Sequence, residues 1–101
     1  MTSIANITIT AVGAEGQVFP LDIAVGVPFV SERHRTWACA LTLHPLWPEP
    51  AEIAGEDSLQ ALCLALRVAR SMLDSFCEDG GQLLFDDGAP FPLDTYFGAT
   101  L

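Results

Sequence analysis

A chain of 101 residues with four arginines, no lysine and thirteen carboxylates carries a formal charge of −9. That length suits one domain spanning 1–101, in which folding buries roughly 65% of the unfolded chain's surface, and that charge repels nucleic acid. Three cysteines (Cys39, Cys63 and Cys77) cannot all pair within the chain, and the first two lie in apolar patterns, so the composition points to a reducing, cytoplasmic setting and not to a disulfide framework.

The N-terminal stretch lacks a basic run followed by a long apolar one, so no secretory leader is expected. Ile4 to Val12 alternates polar Asn6, Thr8 and Thr10 with apolar Ile7, Ile9 and Ala11, the period-two pattern of a strand with one face on a core. Gly13 to Gly16 reads as a hairpin loop. A second strand is expected from Gln17 to about Val27, with Phe19, Leu21, Ile23 and Val25 sharing a face. Pro20 removes a ladder donor, which favours an edge or a bulge near its start.

Ser31 to Arg35 holds the one basic cluster and predicts a loop into a third strand, Thr36 to Leu43. Trp37, Cys39, Leu41 and Leu43 then face one way; Ala38, Ala40 and Thr42 face the other, where small residues suit the close approach of another layer. Pro45, Pro48 and Pro50 impose an extended linker around Trp47, which is placed in an exposed loop.

Asp57 to Phe76 predicts the single long helix. Asp57 is placed to cap the first turn, and Gln60, three residues on, to reach back to the cap. Leu59, Leu62, Cys63, Leu66, Ala69, Leu73 and Phe76 recur at helical spacing and read as the core stripe; Ala61, Leu64, Ala65, Val68 and Met72 read as a second apolar face left over for a partner. Arg67 and Arg70 break this apolar segment, so it is not a membrane span. Gly80 and Gly81 stop the helix. Gln82 to Phe85 predicts a last short strand, Asp86 to Gly88 a turn, and the aromatic tail after it packs back on the body. The order β-β-β-α-β predicts a two-layer α+β domain, an antiparallel meander sheet with the helix on one face.

No motif for catalysis or a cofactor emerges. His34, Cys39 and His44 match no metal spacing, since Cys39 points inward along an alternating strand while the histidines lie at opposite ends. A buried thiol is a poor nucleophile. The pairs Glu78-Asp79 and Asp86-Asp87 beside glycine suit solvated turns, and no phosphate-binding loop is present. Six of the carboxylates fall between Ser71 and the C-terminus, where no positive residue occurs.

The run Asp57-Ser58-Leu59-Gln60-Ala61-Leu62, the short strand after Gly80-Gly81, and Phe91-Pro92-Leu93 resemble small bacterial domains of unknown function that share such a capped helix after a strand meander. The resemblance covers about two-thirds of the chain; it implies a fold and transfers no site. In style, an acidic protein of this size is also similar to the immunity proteins that neutralise bacterial toxins. The expectation is a non-enzymatic, cofactor-free acidic binding protein whose partner is a basic toxin or effector, with Asp79, Asp86, Asp87, Asp94, Trp47 and Tyr96 at the contact. The alternative is a homodimeric accessory domain, and a third is an enzyme whose site no motif reveals.

Overall fold

A computed structural model describes residues 2–98. The hairpin of β1 (Ser3–Val12) and β2 (Val18–Gly26) closes where expected, with Val12 opposite Val18. The Gly13 N–H donates to the Gln17 carbonyl at 2.8 Å and the Gly16 N–H to the Gly13 carbonyl at 2.9 Å. Gly16 alone of the two takes a positive φ, 90°, where a side chain would be strained.

β2 also pairs β4 (Thr36–His44), from Asp22 opposite His44 to Val25 opposite Leu41. Pro20 therefore sits in an interior strand, but on the overhang that β4 does not reach, so its missing donor deprives β4 of nothing. Two short strands, not foreseen from the sequence, complete the neighbourhood of β4. β3 (Phe29–Ser31) pairs the same edge of β4 as β2 does, and β5 (Ala51–Gly55) pairs the other. Val25 opposes Leu41 while Phe29 opposes Ala38, so the β2–β3 side carries one residue more than β4, and the chain bulges at Val27 and Pro28. The proline-rich linker runs from Pro45 to Pro50, after a cis bond between His44 and Pro45, and opens directly into β5. The last strand, β6 (Gln82–Leu84), pairs the end of β1, giving a six-stranded antiparallel sheet.

α1 (Ser58–Glu78) lies across the front of this sheet, chiefly over β4 and β5. Asp57 caps it, accepting the Gln60 N–H at 2.7 Å, and the Gln60 side chain reaches back one residue beyond the cap to accept the Glu56 N–H at 2.6 Å. At the other end the Gly80 N–H bonds Cys77 and the Gly81 N–H bonds Phe76, a Schellman closure with Gly80 at φ 102°.

The helix turns toward the sheet a side rotated part-way from the expected core stripe. Ala61, Ala65, Ala69 and Leu73 are fully buried, with Leu62, Val68, Met72 and Phe76 beside them, whereas Leu59 is 67% exposed and Cys63 and Leu66 also face out. The packed face therefore draws on both expected sets: Ala61, Ala65, Val68 and Met72 from the face expected to be left over, and Leu62, Ala69, Leu73 and Phe76 from the expected core stripe. A Cβ on Gly55 of β5 would lie 2.5 Å from the Ala61 backbone nitrogen, so helix and strand backbones touch and only the smallest side chains fit between them.

The core is this alanine row together with Ile9, Ala11, Leu21, Ile23, Val25, Cys39, Leu41 and Leu43 from the front of the sheet. Each large apolar side chain buried there contributes about 1.5–3 kcal/mol. The tail adds a third unforeseen element, α2 (Leu93–Phe97), which lies beside α1 and packs Leu93 and Phe97 against the same core. Among the described residues no helix is long and apolar enough to cross a membrane.

Candidate interaction surface

The carboxylates of the C-terminal third divide into answered and unanswered groups. Arg70 donates through Nε to Asp74 Oδ2 at 2.9 Å, through Nη2 to Asp94 Oδ1 at 2.6 Å and through Nη1 to the Gly98 carbonyl at 2.5 Å. The bonds to Asp94 and then Asp74 hold the guanidinium more firmly in its charged form. Asp94 thus ties the tail to α1, although its side chain is 72% exposed.

Glu78, Asp79, Asp86 and Asp87 have no ion-pair partner among the described residues. Glu78 and Asp79 sit at the C-terminal end of α1, whose last turn holds no basic residue, so their charges add to the negative end of the helix dipole. Asp86 and Asp87 occupy the turn after β6; Asp87 Oδ1 accepts the Ala89 N–H at 2.9 Å, which fixes that turn. The β1–β2 loop, with exposed Glu15, lies against the same end of the helix, since Ala14 abuts Gly80.

Trp47 and Tyr96 take different positions. Trp47 is half-buried against the core, its N–H bonded to the Leu43 carbonyl at 2.8 Å, and is no exposed-loop residue. Tyr96 is 49% exposed, and its ring lies 4.4 Å from that of Phe91 and 6.2 Å from that of Phe85.

The back of the sheet holds a feature that the sequence reading missed. Ser31, only 2% exposed, donates its hydroxyl to Glu52 Oε1 at 2.8 Å, joining β3 and β5 from opposite edges of β4. The Ser31 oxygen also accepts the His34 N–H at 3.3 Å, and His34 Nε2 lies 3.9 Å from Glu52 Oε1. These are the residue types of a nucleophilic triad in the wrong order. The serine proton is committed to the carboxylate, so the imidazole has no serine proton to take.

Beside this bridge lies a trough of about 580 Å³, with Ala40 as floor, Val27, Pro28 and Phe29 on one side and Pro50, Ala51 and Glu52 on the other. The sequence signal for it was the small residues on the second face of β4. Such residues suit the close approach of another layer, and no second layer of described elements stacks on that face. Nor do His34, Cys39 and His44 converge: Cys39 is buried under α1, while His44 is exposed opposite Asp22 on the back.

Neither a curated protein nor a solved structure matches the chain. Over residues 8–93, from within β1 through all of α1 and β6 to the start of α2, the chain belongs to the family described as domain of unknown function DUF6968.

Proposed function

We propose that this is a non-enzymatic acidic binding protein of the immunity type, a cytoplasmic bacterial inhibitor that covers a basic site on a toxin or effector. The observation that supports it is the set of four unanswered carboxylates, Glu78, Asp79, Asp86 and Asp87, two of them at a helix end that a cation would stabilise. A field of this sign steers a cationic partner to the surface at rates that fall as salt is added.

The test is a search of the neighbouring reading frames for a basic toxin domain and co-expression with it, together with the variant Asp79→Asn/Asp86→Asn/Asp87→Asn. Wild type should suppress toxicity, and the triple variant should associate at least about tenfold more slowly with a flatter salt dependence. Equal protection by both, or a neighbourhood without such a toxin, would overturn the reading.

A second reading, a homodimer, draws support from the exposed apolar residues Val27, Phe29 and Val30 around the β3 bulge. A salt-insensitive dimer mass in solution would favour it.

A further inference from the structure

We infer that the trough on the back of the sheet receives a lysine side chain from the partner. This rests on the basic-partner reading above and moves one specific contact away from the acidic end of α1.

A lysine is an apolar stem ending in a compact cation. The trough has the matching sequence of environments. Its floor is Ala40 and its walls are chiefly apolar, Val27, Pro28, Phe29, Pro50 and Ala51, with Thr2 as an uncharged polar group; its one charged lining group is Glu52. The carboxylate is positioned. Ser31 and His34 both approach Oε1, so the side chain is held by one oxygen, and no described residue bonds Oε2. Ser31 is itself buried, which fixes the serine and through it the carboxylate.

The alanines are part of the device. With Ala38 fully buried, a larger residue there would fill the space through which β3 and β5 are joined, whereas Ala40, opposite Glu52, lines the trough itself. An anion would meet Glu52 and a protein of net charge −9, whereas a neutral apolar chain would leave the carboxylate unanswered.

The experiment is an amide-resolved NMR titration of the full chain at low salt with Nα-acetyl-lysine methylamide. The norleucine analogue, which keeps the stem and lacks the ammonium, serves as the comparison. The lysine probe should shift the amides of Ala40, Ala51 and Glu52, and the norleucine probe should not. Glu52→Gln should weaken the effect by about tenfold, the loss of one partly desolvated charge contact. Ala40→Leu, which raises the floor and keeps the carboxylate, should abolish it and carries the test should Glu52→Gln fail to fold. Equal shifts with norleucine would overturn the inference. Shifts confined to Asp79, Asp86 and Asp87, or no shift anywhere, would also overturn it, while the basic-partner reading stands or falls by the co-expression test.

Discussion

Cys39, Cys63 and Cys77 have one side chain in common and three different chemistries. Cys39 is fully buried between β4 and α1, its sulfur donating to the Gly26 carbonyl at 3.3 Å, and burial pushes the thiol above its ordinary 9.0. Cys77 is half-buried in the last turn of α1; burial first, and the charge of Asp74 second, raise it as well. Cys63 is exposed. Iodoacetamide labelling followed by mass spectrometry should therefore modify Cys63 first, Cys77 slowly and Cys39 only on unfolding; prompt labelling of Cys39 would contradict the packing. Both raised thiols stay protonated in the folded state at a pH where the unfolded chain ionises them. The folded state then binds more protons, so stability should fall as pH rises above about 9. Cys39 was readable in the sequence because a strand alternates strictly. Cys63 was not, because on a helix with apolar residues on most sides the spacing fits more than one face.

The same ambiguity operates on the whole of α1. Its start, its stop and its length within two residues were legible, since caps and glycines act locally: Asp57, Gln60 and Gly80 do what their chemistry dictates. Which face turns inward is decided by contact with the sheet. Leucine is the more hydrophobic residue, but the close approach of Gly55 to Ala61 leaves no room for it, and the alanines win. Two substitutions separate these ideas. Ala65→Leu inserts volume into a closed interface and should destabilise by about 1–3 kcal/mol, whereas Leu59→Gln on the exposed face should stay within about 0.5 kcal/mol. Urea unfolding measures both, and the opposite ranking would mean that the leucine stripe is the packed face after all. The missed elements have a common cause. β3 and β5 have three and five residues beside Pro28 and Pro50, and five-residue α2 lacks a side-chain cap, so each exists through its pairing or docking and not through its own sequence.

At the scale of the molecule, thirteen carboxylates face four arginines. Asp79, Asp86 and Asp87 could be picked from the sequence because glycines and turns keep them outside. The pairing of Asp94 with Arg70 and the joining of Ser31 to Glu52 could not, because they link residues that are 24 and 21 positions apart and meet only once the sheet has formed. This distribution sets two electrostatic effects against each other. Ion pairs at the surface are worth about 0–1 kcal/mol each, and among the described residues there are few: Arg70 with Asp74 and Asp94, and His34 beside Glu52 when protonated. Repulsion among the remaining acids is summed over the whole surface and acts at longer range. Raising salt from about 0.01 M to about 0.1 M shortens the screening length from ~30 Å to ~10 Å, which removes the long-range repulsion and leaves contacts at hydrogen-bond distance comparatively intact. The melting temperature should therefore rise with salt; a gain of ~1 kcal/mol corresponds to about 4–8 °C for a domain of this size. Asp86→Asn/Asp87→Asn, which removes two charges from a solvated turn, should melt higher at low salt and show a shallower salt dependence. Calorimetry across the salt series reads both slopes, and a melting temperature that falls as salt is added would mean that the Arg70 cluster outweighs the excess of negative charge.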